Sequence, residues 1–215
     1  MRRIRTLPVF LLLAALLSLP GCIPVMVVGA GAGAAIGYED RRTTGTMVED
    51  EGIELRASNR ITERFGDKVH VNITSYNRSV LLTGEVPDVK TKEEIEKIAQ
   101  AVSTVRGITS DLQVGALASY SARTNDSAIT TKVKARFIDV GKFSVIHVKV
   151  VTEASAVYLL GWVTEAEATD ATEIARTTGG VRKVVKVFEY CQPADPACAP
   201  RSKPKAEEPK KKSGT

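Results

Sequence analysis

Two stretches, VLLTGEV (Val80–Val86) and VYLLGWV (Val157–Val163), decide the fold. Each reads as an apolar strand interrupted by a glycine, a residue with nothing to pack and the largest backbone entropy to lose. Val80, Leu82, Gly84 and Val86 align with Val157, Leu159, Gly161 and Val163. The likeness extends outward in the same order both times. VHVNI (Val69–Ile73) matches IHVKV (Ile146–Val150), and ITERF (Ile61–Phe65) resembles VKARF (Val133–Phe137). GITSDLQV (Gly107–Val114) resembles GVRKVVKV (Gly180–Val187). Differences in spacing fall between these segments, where loops and helix ends absorb insertions. The chain therefore reads as two copies of one small domain, 49–115 and 124–190, separated by a linker over 116–123.

Each copy reads helix, strand, strand, helix, strand. In the second, Asn125 and Asp126 are placed as caps for SAITTKVKARF, where Ile129, Val133 and Phe137 recur at four-residue intervals. IHVKV alternates, which predicts a half-buried strand with His147 and Lys149 outward. Thr164 and Glu167 form a capping-box pattern, and that helix stops near Gly179–Gly180. The matching helix of copy one, KTKEEIEKIAQAV, reads about one turn longer. The expected fold class is α+β, with two helices on one face of a three-stranded mixed sheet (αββαβ) in each copy. Gly84 and Gly161 then have a structural role. Either a helix crosses close over the strand or the strand bulges there.

The N-terminus indicates the compartment. Arg2, Arg3 and Arg5 precede the apolar run VFLLLAALLSL, the pattern of a signal peptide over 1–21. LPGC (Leu19–Cys22) resembles the bacterial lipobox, which implies cleavage before Cys22 and acylation of that residue. Ile23, rather than Asp, follows it and implies passage to the outer membrane. Several acyl chains attach firmly where one is marginal. Residues 22–48 form an apolar, small-residue neck and linker. Gly29, Gly33 and Gly37 leave two readings open, a close-packing helix or a flexible segment at the membrane surface. Cys191 and Cys198 bracket QPADPA, and an oxidising compartment favours a disulfide between them. Two thiolates with no nearby histidine are too few for a metal centre. The Pro/Lys/Glu-rich tail within 191–215 reads as disordered.

The net charge of +5 is misleading, because three arginines lie in the signal segment and the tail 191–215 is +3. Residues 22–190 sum to −1, with no clustering of basic residues and aromatics that would suit nucleic acid. Copy two is nonetheless more basic than copy one. Opposite the apolar stripe of its first helix stand Ala128, Thr131, Lys132 and Ala135, with Ile138 at the edge and Lys134 and Arg136 nearby. That face suits an anionic bilayer, and it equally suits plain solvent. The outward row Tyr158, Leu160 and Trp162 is too apolar to lie bare. It is expected to pack on the sister copy, near Tyr76, or to meet a protein partner.

No catalytic constellation is legible. His70 and His147 occupy equivalent strand positions with no carboxylate partner implied. No serine lies in a nucleophile-elbow pattern, and GAGAG follows no strand. No enzyme, cofactor or metal is expected.

The V-L-x-G-x-V strand and the late G-V/I step resemble the BON domain. Two such units behind a lipobox, a small-residue neck and DRRTTGTMVEDE resemble the dual-BON outer-membrane lipoproteins of the DolP (YraP) family. NDSAITTKVKARF is the most specific match. The resemblance implies two tandem BON domains facing the periplasm on a lipid anchor. It also implies binding of anionic phospholipid through the first helix of the second domain, and support of envelope integrity at division sites. Carried onto this chain, the contact comprises Ala128, Ile129, Thr131, Lys132, Lys134, Ala135 and Ile138. Ala128 departs from the family, where a tryptophan enters the lipid interface. Ile138, Val140 and Phe143 are the apolar residues left to substitute. A different class of function also stands, that of a structural protein docking on outer-membrane assembly machinery. Oligomeric state is open.

Overall fold

The computed structural model describes residues 40–192 together with 194, 195 and 198. The signal segment, Cys22, the neck as far as Glu39 and the lysine-rich tail lie outside the described residues. Copy one comprises α1 (Thr44–Phe65), β1 (His70–Tyr76), β2 (Ser79–Val86), α2 (Val89–Gln100) and β3 (Gly107–Val114). Copy two comprises α3 (Tyr120–Val140), β4 (Lys149–Glu153), β5 (Ala156–Val163), α4 (Glu165–Arg176) and β6 (Lys183–Tyr190). In each sheet the glycine strand is central, antiparallel to the strand before it and parallel to the strand after it. A two-residue turn makes the antiparallel pair, whereas the parallel pair needs the crossover that α2 or α4 supplies.

Alternation along the central strand sorts its side chains between two cores. Val80, Leu82 and Val86 pack beneath Ile53, Ala57 and Ile61 of α1 and Ile95 and Ala99 of α2. Val157, Leu159 and Val163 pack beneath Ile129, Val133 and Phe137 of α3 and Ala168, Ala171 and Ala175 of α4. Each fully buried large side chain contributes roughly 1.5–3 kcal/mol. The opposite faces of the two sheets meet each other. Tyr76, Leu81, Tyr158 and Leu160 are buried there, flanked by Trp162, Val185 and Val187. The Tyr–Leu–Trp row thus packs on the sister copy, near Tyr76 as expected.

One pair of acids sets the true register between the copies. The spacing Asp50–Ile53–Ala57–Ile61 recurs as Asp126–Ile129–Val133–Phe137, and all eight residues are buried. Ile61 therefore corresponds to Phe137, and the pairing of ITERF with VKARF slips by one helical turn. A four-residue slip keeps an apolar stripe nearly in phase, so periodicity alone does not reveal it. The acids reveal it because they bind the hairpin turns. Asp50 accepts the backbone N–H of Asn77 (2.9 Å) and Arg78 (2.7 Å) and the Ser75 hydroxyl (2.7 Å). Asp126 accepts the N–H of Ala154 (2.9 Å) and Ser155 (2.8 Å). All four turn residues have positive φ, from 49° to 65°, and none is glycine. This backbone suits hairpin twist but strains L-residues, and the carboxylates hold it in place.

Asp126 is thus buried inside α3 rather than capping it. The cap is Ser119, whose hydroxyl accepts the Ala122 N–H, so the helix begins at Tyr120 within the expected linker. Likewise α1 begins at Thr44, capped by Thr43 and ahead of residue 49. The second helices are equal at 12 residues, because Ala101–Val105 leave the helix instead of extending it. Thr164 and Glu167 form the capping box. IHVKV is not a continuous strand; Val145–His147 make a short 3-10 turn and β4 starts at Lys149.

The glycines answer to a backbone carbonyl, not to a crossing helix: for Gly84 that of His70 at the start of β1, for Gly161 that of His147 in the 3-10 turn ahead of β4. A Cβ on Gly84 would lie 2.0 Å from the His70 carbonyl oxygen, and one on Gly161 would lie 2.3 Å from the His147 carbonyl oxygen. Pairing of β1 with β2 runs unbroken through Val71 and Gly84, so a bulge does not account for Gly84. Gly84 carries a second constraint, a φ of +118°. Cys191 and Cys198 are joined by a disulfide and are both buried, so this part of the tail packs on the domain.

Candidate lipid-facing helix and the seam between the copies

The outer face of α3 follows from its register. With Asp126, Ile129, Val133 and Phe137 turned inward, Ala128, Thr131, Lys132, Lys134, Ala135 and Ile138 are exposed. Ile129 is 0% exposed and cannot touch a ligand, which removes it from the expected site. Arg136 is also removed. Its guanidinium donates to the Ile174 carbonyl (2.8 Å) and to Thr177 and Thr178 (3.0 and 2.9 Å), closing the C-terminus of α4. Phe143 packs edge-on against Phe137, with ring centroids 5.0 Å apart, and is no substitute anchor. Lys132 and Lys134 make no ion pair among the described residues.

Starting α3 at Tyr120 adds a residue that the sequence reading missed. Tyr120 is 86% exposed and Ile138 is 65% exposed. They stand 18 positions apart, five full turns, so they share one side of the helix, roughly 27 Å apart. Small residues lie between them: Ser127, Ala128, Thr131 and Ala135. The face therefore has a large apolar group at each end and, midway along, one lysine on each flank, since Lys132 and Lys134 are two positions apart and project about 160° from one another. Val140, 44% exposed, adds to the Ile138 end.

The seam between the copies is polar around its apolar centre. Glu189 of β6 accepts from the Asn77 amide (2.7 Å) and the Ser79 hydroxyl (3.0 Å). Lys149 reaches Glu54 (2.7 Å) and the Ser75 carbonyl (3.2 Å). Tyr158 donates to Asp111 at 2.8 Å; burial, then that hydrogen bond, push its phenol well above the ordinary range. The histidines are not without carboxylates. His70 Nδ1 lies 3.0 Å from Glu85 and 4.0 Å from Glu153 of the other copy. His147 Nδ1 lies 3.4 Å from Glu167.

The arm before α1 crosses this seam. Arg41 donates to both oxygens of Glu167 (2.7 and 2.9 Å) and to the Trp162 carbonyl (2.7 Å), all in copy two. Arg42 binds Asp40 and Asp50 (both 2.9 Å) and stacks 4.2 Å over the Tyr76 ring, in copy one. Burial would raise the Glu167 carboxyl, but hydrogen bonds from His147, Arg41 and Thr164 outweigh it and hold the group far below the usual carboxylate range. Only the adjacent DRR in the sequence hinted at this clamp.

The fold is thus a duplicated α+β unit whose second copy exposes a basic helix face, with no ion pair to Lys132 or Lys134 among the described residues. A family model for the BON domain matches residues 50–116 and again 125–192. The chain is 38% identical over 182 residues to Outer membrane lipoprotein DolP of Haemophilus influenzae, covering 84% of this chain and 94% of that protein. It is 32% identical over 155 residues to a 21 kDa hemolysin of Actinobacillus pleuropneumoniae, covering 71% of this chain and 80% of that protein. Osmotically-inducible protein Y of Escherichia coli is 26% identical over 147 residues, 65% of this chain and 72% of that one. The chain belongs to the dual-BON outer-membrane lipoproteins, the DolP family, and its place is the outer membrane. Among the described residues, no helix is long and apolar enough to cross a membrane.

Proposed function

We propose that the protein is a non-enzymatic lipoprotein, held through acylated Cys22 and facing the periplasm, whose α3 outer face docks on anionic phospholipid. The observation that carries this reading is that Lys132 and Lys134 are exposed, without an ion-pair partner among the described residues, on either flank of a face ended by Tyr120 and Ile138. Lysines free of ion pairs add about 1 kcal/mol each near an anionic surface, and the apolar ends bury area at the headgroup level. Tyr120 supplies the aromatic ring that is absent at Ala128. By the same family reading, docking supports envelope integrity at division sites.

Vesicle flotation tests it. A form beginning after Cys22 is expected to float with phosphatidylglycerol vesicles and not with phosphatidylcholine vesicles, and Lys132→Glu/Lys134→Glu is expected to lose flotation. Binding indifferent to both lipid charge and the double substitution removes the proposal. A second reading, docking on assembly proteins, draws on Val48 and Leu55 of α1. They are 65% and 63% exposed and two turns apart. Crosslinking in envelopes distinguishes it, through a stoichiometric partner retained after the α3 lysines are reversed.

A further inference from the structure

We propose that His70, Glu85 and Glu153 form a divalent-cation site, fitted to zinc, that ties the two copies together. His70 opens β1, Glu85 stands directly opposite it on β2, and Glu153 ends β4 of the other copy. One donor atom from each lies within 4.8 Å of the others. Some point is then no more than roughly 2.8 Å from all three, so a contraction of about 0.7 Å reaches zinc–nitrogen and zinc–oxygen bonds of ~2.0–2.2 Å.

Four observations support a cation here. The three side chains are only 16%, 10% and 6% exposed, unlike an acidic patch on the surface. Glu153 Oε1 accepts no hydrogen bond among the described residues and faces the imidazole, while Oε2 is held by the Asn72 amide at 2.6 Å. Glu85 is fixed in turn by the Ala118 N–H at 3.0 Å. Such outer hydrogen bonds orient metal ligands. The charge is also unbalanced. Glu85, Glu153 and nearby Asp126 face a single imidazole, and Arg123, at the rim, is exposed and makes no ion pair among the described residues. Buried carboxylates call for compensation, which a dication supplies.

A cavity of about 430 Å³ lined by His70, Asn72, Arg123, Asp126 and Glu153 gives entry and room for water ligands. One imidazole nitrogen with two carboxylate oxygens suits zinc, whereas magnesium and calcium favour oxygen alone. The site stands independently of lipid docking by α3.

The test uses the full-length protein in detergent, stripped with EDTA and titrated calorimetrically with zinc chloride. Wild type is expected to bind one zinc saturably and to melt at a higher temperature when loaded. His70→Gln and Glu153→Gln are each expected to weaken binding by at least about tenfold, and His147→Gln to leave it unchanged. Failure of the wild type to bind saturably overturns the site, as does undiminished binding in both substitutions. Should either variant lose its fold by circular dichroism, X-ray absorption on zinc-loaded wild type decides. One imidazole with oxygen ligands supports the site; a shell containing sulfur or two imidazoles overturns it.

Discussion

The first helices of the two copies share an inner face and differ on the outer one. Asp50 and Asp126 both turn inward to bind a hairpin, and three apolar residues follow each at the same spacing. Outside, copy one neutralises two of its three arginines: Arg56 pairs with Glu49 at 2.5 Å and Arg64 with Glu94 at 2.8 Å, while Arg60 donates to the Ala101 carbonyl at 3.3 Å. At the positions of Arg56 and Ser58, copy two carries Lys132 and Lys134, with no acid against either among the described residues. Duplication preserved the interior, where a misplaced group costs several kcal/mol, and left the exterior free to diverge, where most changes are nearly neutral. A face that spends its cations on its own acids is solvated surface; one that leaves them unspent is available to an external anion.

The interior half of this comparison is open to the largest perturbation. Gly84→Ala places a methyl against a backbone oxygen at a φ that L-residues avoid, and about 4 kcal/mol or more of destabilisation is expected in urea melts. Gly161→Ala meets a different backbone oxygen, that of His147, without that φ and should lose less. Equal losses would show that the φ constraint is immaterial. Asp126→Ala removes two charge-assisted hydrogen bonds from a strained turn, about 3 kcal/mol by chemical denaturation. Asp50→Ala, which frees three groups and Arg42, should lose more. A reversed order would break the equivalence of the two acids.

Acid tests the clamp across the seam. Because the folded Glu167 carboxyl is depressed, its contribution is fully present above the unfolded value of about 4.3 and is lost as pH falls below it. Arg41→Ala is expected to lose about 1–2 kcal/mol at pH 7 and to flatten the decline in stability below pH ~4.3, as read from urea midpoints. A decline as steep as wild type would assign acid sensitivity elsewhere. The smallest stability effect belongs to the outer face. Lys132→Glu/Lys134→Glu should shift stability by no more than ~0.5 kcal/mol while abolishing flotation. A large loss of stability would mean that those lysines serve the fold.

The duplication and the order of elements were legible in the sequence because strand alternation and the paired glycines are local signals. Register within the first helix was not, since an apolar stripe tolerates a one-turn slip and the residue that forbids it, Asp126, reads from sequence as a cap. The outer face was legible in its middle, where Ala128, Thr131, Lys132, Lys134 and Ala135 are exposed with Ile138. Its end at Tyr120 was hidden by the misplaced helix start, and Ile129 was counted twice, as core and as ligand. The glycines signalled a close approach, but composition does not distinguish a crossing helix from a neighbouring backbone carbonyl. The seam is a matter of long-range pairing: His70 and Glu153 are separated by a whole domain, and no local pattern announces their meeting.

Arg41 and Arg42, adjacent in the chain, grip different copies. A pull arriving along the chain from the N-terminal side is therefore shared by both sheets rather than borne by the first helix alone. The attachment lies at the boundary between the halves, and detaching either one mechanically means breaking a half-buried guanidinium–carboxylate pair.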